Sequence, residues 1–189
     1  HQAPELFEAI SQWTVKCVHN FTPQELSNTA WAFSTARHRA PALFETLSNV
    51  TRSRLHEYPP QGLSNTAWAF ATAQHEAPEL FEAISFWAIK SVHKFIPQDL
   101  SNTAWAFATA RHQAPELFKV LAAATMKRVH EFPSQNISNT AWAFAANRHQ
   151  APELFEVLST SIMMRVHEFN GRDLTSTAWA FATAKHPAP

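Results

Sequence analysis

The sequence predicts an all-α protein, an α-solenoid of five 37-residue helix-turn-helix repeats wound as a right-handed superhelix. Three observations carry that expectation. The segment Ser-Asn-Thr-Ala-Trp-Ala-Phe begins at Ser27, Ser64, Ser101 and Ser138, and Thr-Ser-Thr-Ala-Trp-Ala-Phe begins at Thr175, so copies follow one another at 37 residues (64 − 27 = 37) without insertion or deletion. A second marker, His-x-Ala-Pro, keeps the same period at His1, His38, His75, His112 and His149, and His-Pro-Ala-Pro begins at His186. A fixed period of about 20 to 50 residues marks a solenoid or propeller. Finally, no stretch alternates with period two, whereas two segments of each copy are apolar at helical spacing. The chain of 189 residues divides into copies 1–37, 38–74, 75–111, 112–148 and 149–185, and 186–189 read as the start of a further one. No linker interrupts this single array, which reads as a segment of a longer one.

Within the first copy, helix A is expected from Pro4 to Asn20. Proline suits the first helical position, where its missing N–H costs nothing. Leu6, Phe7, Ile10, Thr14, Val18 and Phe21 fall on one side as its core face. Glu5 and Glu8 near its start, and Lys16 and His19 near its end, complement the helix dipole. Helix B is expected from Pro23 to Arg37, opened by a capping box in Thr22-Pro23-Gln24-Glu25. The third copy has Ile96 at the cap, where the start can move by a residue or two. The core side of helix B is Leu26, Thr29, Ala30 and Phe33. The fifteen phenylalanines recur at core positions of both helices.

Composition narrows function by exclusion. Fifteen basic residues balance fifteen acidic ones, so the chain as a whole lacks the basic field that usually announces nucleic-acid binding. Two glycines exclude a glycine-rich phosphate loop and most hairpin-rich β folds. The single cysteine, Cys17, excludes a disulfide framework and a cysteine zinc site. No apolar run reaches the roughly 18 to 20 residues of a membrane span. The eleven histidines invite a metal reading, but no His-x3-His pair occurs, and helix B separates the two histidine sets by roughly 20 Å at 1.5 Å per residue. His19, His56, His93, His130 and His167 are expected to cap carbonyls at the end of helix A; the others mark the linker. No Ser/His/Asp arrangement stands out, so neither a cofactor, a metal nor an enzymatic activity is expected.

The run Leu-Ser-Asn-Thr-Ala-Trp-Ala-Phe-Ala-Thr-Ala, at 63–73 and 100–110, resembles the hallmark helix of octotricopeptide repeats, αα repeats of about this length. Heptatricopeptide and RAP-domain-associated repeats are related. The resemblance covers the whole chain, although the Pro-Pro-Pro-Glu-Trp motif frequent in octotricopeptide repeats is reduced to a hint at Trp13 and Trp87. It implies single-stranded RNA binding in a chloroplast or mitochondrion, serving transcript processing, stability or translation.

On a helical wheel, helix B has alanine on one flank (Ala32, Ala36) and Ser27, Ala30 and Ser34 on the other, so like helices of adjacent copies can approach and helix B is expected innermost. Its remaining side carries Gln24, Asn28, Trp31 and Thr35, at i, i+4, i+7 and i+11. The stripe continues as Gln61, Asn65, Trp68 and Thr72; Gln98, Asn102, Trp105 and Thr109; Gln135, Asn139, Trp142 and Ala146; and Arg172, Ser176, Trp179 and Thr183. Amides can pair with base edges and 2′-hydroxyls, and indoles can stack bases. The same constancy suits a structural seam, with Asn28 bonded to a neighbouring carbonyl and Trp31 wedged between repeats. Columns that vary, as a code requires, lie on the outer part of helix A: Gln12, Asn49, Phe86, Ala123, Thr160; Trp13, Val50, Trp87, Ala124, Ser161; and Lys16, Ser53, Lys90, Lys127, Met164. Their plainer reading is a solvent face under little constraint. The expectation is a non-enzymatic RNA-binding array handling about one nucleotide per repeat. The alternatives are a protein-interaction scaffold, favoured by the neutral charge, or a structural subunit of a large organellar complex.

Overall fold

A computed structural model describes residues 4–184; His1 and the expected new repeat at 186–189 lie outside them. The described residues form ten α-helices and no strand. The A helices are α1 (Pro4–Cys17), α3 (Pro41–Arg54), α5 (Pro78–Ser91), α7 (Pro115–Arg128) and α9 (Pro152–Arg165). The B helices are α2 (Pro23–Thr35), α4 (Pro60–Thr72), α6 (Pro97–Thr109), α8 (Ser134–Asn147) and α10 (Gly171–Thr183). Each A helix tightens into a 3₁₀ turn, Val18–Asn20 in the first repeat, before the chain reverses. All five B helices begin at one phase, including α6 behind Ile96, where the Asp99 carboxylate accepts the Ile96 N–H at 3.2 Å and supplies half of a capping box. The full box is present at α2: Glu25 accepts the Thr22 N–H at 2.7 Å, and the Thr22 hydroxyl accepts the Glu25 N–H at 3.3 Å.

Inside each repeat an edge-on phenylalanine pair joins A to B. Phe7 meets Phe33, Phe44 meets Phe70, Phe81 meets Phe107, Phe118 meets Phe144 and Phe155 meets Phe181, with centroids 5.0 to 5.1 Å apart. That geometry sets the positive ring edge on the negative ring face and contributes about 0.5–1.5 kcal/mol beyond simple burial. Between repeats the layers differ. Each B helix packs along the whole of the next B helix, while successive A helices touch more sparingly. The B seam is made of small residues: Ala69, Ala106 and Ala143 on one flank, Ser64, Ser101 and Ser138 on the other, all buried. A stack whose one layer is more closely spaced bends toward that layer, which puts the B helices on the concave side.

Leu6 and Ile10, expected in the core, are 57% and 41% exposed. Their counterparts Leu43 and Leu47 are fully buried because a preceding repeat covers them. The column of Trp13 is likewise a seam rather than a solvent face: Val50 and Ser161 are buried, and Trp87 lies 6.3 Å from the ring of His56 in the preceding repeat. The columns of Gln12 and Lys16 are exposed in every repeat, as a solvent face requires.

The A layer is pinned by a recurring guanidinium clamp. Arg54, Arg128 and Arg165 each hold the glutamate three residues on (Glu57, Glu131, Glu168) and donate to the carbonyl of Phe21, Phe95 or Phe132 in the preceding repeat, at 2.6, 2.5 and 2.9 Å. Hydrogen bonding to arginine holds all three glutamates below the usual carboxylate pKa. The third repeat has Ser91 and Lys94 at these positions, so the joint between the second and third repeats has no clamp. There Tyr58 replaces phenylalanine and donates its hydroxyl to Thr51 at 3.1 Å. Burial pushes the Tyr58 pKa up to about 12.

Candidate nucleic-acid interface

The interior B helices α4, α6 and α8 are sealed on three sides, and the fourth is open; α2 and α10 each lack one neighbouring B helix among the described residues, and Leu174 of α10 is 41% exposed. Leu26, Leu63, Leu100 and Ile137 are buried against helix A, and the alanine and serine flanks are buried against neighbouring B helices. What remains is the stripe of Gln24, Asn28, Trp31 and its counterparts. Gln24, Gln61, Gln98, Gln135 and Arg172 are exposed; Asn65, Asn102 and Asn139 are half-buried, and Asn28 is exposed. Repeating the stripe on adjacent, closely packed helices produces a ridge that crosses five helices.

Two features of this ridge bear on its chemistry. The tryptophans of the second to fifth repeats touch one after another. Trp68 and Trp105, Trp105 and Trp142, and Trp142 and Trp179 have ring centroids 6.2, 6.4 and 6.2 Å apart with planes inclined at 30 to 33°. The indoles therefore belong to the seam and to the surface at once. A base inserted between two rings needs two contact distances of roughly 3.5 Å each, more than these gaps offer, so a base meets the outer edge and exposed face of the ladder. The amides behave differently. Among the described residues, none of the side-chain amides of Gln24, Asn28, Gln61, Asn65, Gln98, Asn102, Gln135 and Asn139 makes a hydrogen bond within the protein, and none of the ridge indole N–H groups donates one. The carbonyl partner considered for Asn28 is absent there, and no amide ladder ties the repeats together.

The hydroxyls just behind the ridge are used internally. Ser27, Ser64 and Ser101 donate to the carbonyls of Gln24, Gln61 and Gln98 at 3.1 Å, and Ser64 also donates to the buried Asp99 carboxylate at 2.9 Å. Among the B helices the only exposed carboxylate is Glu25, which the Thr22 N–H and hydroxyl hold below its usual pKa. Asp99 and Asp173 are buried. Every other carboxylate lies on an A helix, in an A–B turn or, for Glu76, in the loop after α4. The A helices with their A–B turns carry eleven acidic and nine basic residues and the B helices three and one, so the balancing positive charge of the chain lies in the segments after the B helices, which hold Arg37, Arg39, Arg111, Arg148 and Lys185 against Glu76.

Sequence reasoning missed how the B helices end. Each of α2, α4, α6 and α8 closes in a Schellman turn: His38, His75, His112 and His149 donate their N–H to Phe33, Phe70, Phe107 and Phe144 at 3.0–3.2 Å, and the preceding Arg37, Gln74, Arg111 and Arg148 donate to Ser34, Ala71, Ala108 and Ala145. Those preceding residues have φ of 53 to 57°, the left-handed conformation that glycine normally takes in this motif. The His-x-Ala-Pro marker is therefore a helix stop followed by a helix start. Each ring of these histidines lies 5.4 to 5.8 Å from two phenylalanines, for example His38 with Phe7 and Phe33. His38, His75 and His112 also come within 3.9, 3.7 and 3.5 Å of Glu8, Glu45 and Glu82. The fourth position has Lys119 in place of that glutamate, and burial pushes the His149 pKa down despite Glu116. The histidines at the ends of the A helices do not cap carbonyls: none of them donates to one among the described residues, and His56 and His130 instead lie 3.8 and 3.9 Å from Glu57 and Glu131.

The chain matches no protein-family model, and the search of curated proteins finds no relative.

Proposed function

We propose that the array is a non-enzymatic binding scaffold whose B-helix ridge takes an extended single strand of RNA. The observation that carries this reading is the row of unpaired amides beside an edge-exposed indole ladder, on a layer with a single exposed carboxylate. Amides without internal partners are free to hydrogen bond base edges and 2′-hydroxyls, and aromatic faces supply sequence-tolerant stacking. A nearly constant ridge favours weak discrimination between bases, with affinity accumulating over many repeats. The organellar setting, and a role in transcript processing, stability or translation, rest on the resemblance to octotricopeptide repeats.

A second reading, a protein-interaction scaffold or a structural subunit of a large assembly, is favoured by one feature of the A layer. Met164, 74% exposed, lines a cleft of about 540 Å³ together with Val129, Val157 and the charged Glu156 and Arg165, and Met163 is 58% exposed on the same helix. Flexible methionines suit promiscuous protein contacts.

The two readings separate in the central repeat. Gln98→Ala with Asn102→Ala removes two amides that hold nothing inside the protein, so thermal stability should change by no more than about 0.5 kcal/mol. Binding of a labelled single-stranded RNA at low salt should weaken while its salt dependence stays the same, because neutral amides release no counterions. Undiminished RNA binding in the double variant, or none by the parent chain, would turn the argument toward the protein scaffold.

A further inference from the structure

The carboxyl ends of the B helices form an edge of the array beside the ridge. Four side chains stand there in register: Arg37, Gln74, Arg111 and Arg148, all exposed and all in the left-handed conformation. An L side chain is strained in that conformation and glycine is not, yet the position carries three arginines and a glutamine, all long hydrogen-bond donors. Among the described residues none of the three arginines has an ion pair or a hydrogen-bonded side chain. The arginines of the A layer differ: Arg52 pairs with Glu79, and Arg54, Arg128 and Arg165 are held in clamps.

Between successive helix ends the surface is cleft. One cleft of about 730 Å³ has Arg37 and Gln74 on its walls with Thr72 between them, the next, of about 550 Å³, has Gln74, Arg111 and Thr109, and one of about 710 Å³ has Arg148 and Thr183. The buried hydroxyls of Thr72 and Thr109 have no hydrogen-bond partner. The carboxylate in these clefts is Glu76, beside Gln74; Glu8, Glu45 and Glu82 meet the loop histidines from helix A and do not line them. The edge is therefore cationic except at the second repeat, where the arginine is missing and the acid is present.

From this arrangement we infer that the row Arg37, Gln74, Arg111, Arg148 is a phosphodiester rail. The inference rests on the RNA reading of the ridge and adds the path of the strand. The sugar–phosphate backbone follows the carboxyl ends of the B helices, with phosphates held by guanidinium forks and a gap at Gln74, while the bases turn onto the ridge. Arg37 lies six residues beyond Trp31, about 9 Å along the helix at 1.5 Å per residue, a span that one nucleotide bridges with its base at the indole and its phosphate at the arginine. A cation at a helix C terminus also favours the helix dipole. If that were the whole role of these arginines, replacing them would lower the melting temperature and leave RNA binding unmoved.

The array supplies its own control, since Gln74 shows that glutamine is accepted at this position. The test is the triple variant R37Q/R111Q/R148Q, the converse Q74R, and K127Q on the exposed face of α7, with a labelled single-stranded RNA titrated across a series of salt concentrations. With each phosphate contact on a single strand contributing about 0.7 to the log–log salt slope, the triple variant should lose about 2 from the slope and at least tenfold in low-salt affinity, beyond any small drop in melting temperature from the lost helix-end charges. Q74R should add about 0.7, and K127Q should change nothing. A parental slope in the triple variant, with the Gln98/Asn102 double variant still impaired, would overturn the rail and leave the ridge standing. Absence of RNA binding by the parent chain would remove both. Binding of polyglutamate as tightly as RNA, with the same dependence on the three arginines, would also overturn the rail, as a general acidic-peptide site.

Discussion

Helices A and B have nearly the same length and most begin with proline, yet they hold to their neighbours by different means. A B helix lies against the next through buried alanine and serine, close enough for indoles of successive repeats to touch. An A helix reaches its neighbour through leucine and phenylalanine below and, at three of the four joints, an arginine clamp above. The first kind of contact tolerates almost no change in side-chain volume, and the motif Asn-Thr-Ala-Trp-Ala-Phe recurs almost without change. The second leaves a solvent face free, and the columns of Gln12 and Lys16 vary from repeat to repeat. Constancy in the B layer is thus demanded by packing as well as by any ligand, so the unpaired amides say more about binding than the repeated tryptophans do.

The sharpest way to break the comparison is to truncate one phenylalanine in each layer of the central repeat. Phe107→Ala removes a fully buried ring and should cost about 3–5 kcal/mol. Phe86→Ala, on an exposed ring that lies under Lys90, should cost no more than about 1 kcal/mol. Chemical denaturation of both variants reports the difference. A smaller contrast comes from adding volume. Ala106→Leu forces a larger side chain into the B seam and should destabilise by about 1–3 kcal/mol, whereas Ala123→Leu on the exposed side of α7 should stay within about 0.5 kcal/mol. Equal effects from the two leucines would mean that the layers are equally close-packed.

The smallest expected effect concerns the clamps. Losing the arginine bond to the Phe95 carbonyl in Arg128→Met should cost about 1 kcal/mol, since this partly exposed side chain is screened by solvent. Grafting a clamp into the bare joint with Ser91→Arg and Lys94→Glu should raise the melting temperature. The clamps also set a dependence on acid. Glu57, Glu131 and Glu168 have folded pKa values below their unfolded ones, so the native state binds fewer protons in that window. Their contribution is complete above the unfolded pKa near 4.5 and is lost as pH falls through the folded values. The graft should therefore help at neutral pH and help less in acid, a result that melts at the two pH values check.

Much of this fold is legible in the residues because helical periodicity and a fixed repeat both act locally. Pro4, Pro23 and the Thr22–Glu25 box mark helix starts, and the wheel that leaves Gln24, Asn28 and Trp31 on one side needs only the 3.6-residue turn. Three features escape it. The helix stop at Arg37 is hidden because its usual mark, glycine, is absent. The clamp from Arg54 to the Phe21 carbonyl joins residues 33 apart, and no local pattern announces it. The indole ladder depends on the spacing between helices, which small residues set but do not reveal. The gathering of Arg37, Arg39, Arg111 and Arg148 after the B helices could have been found by counting charges segment by segment; the net charge averages it away.

Identical joints have a consequence for how the chain finds its native arrangement. If every B helix offers its successor the same alanine and serine faces, α4 could settle against α8 almost as well as against α6, looping out a whole repeat. Arrays of near-identical units are prone to such mispairing and to exchange between molecules. The irregular second and third repeats counter it. Ser64 donates to the Asp99 carboxylate of the third repeat, whereas the fourth repeat carries Asn136 at that position. The pair works as an address label: it forms when α4 meets α6, and a skip to α8 sets Ser64 beside an amide instead of the carboxylate.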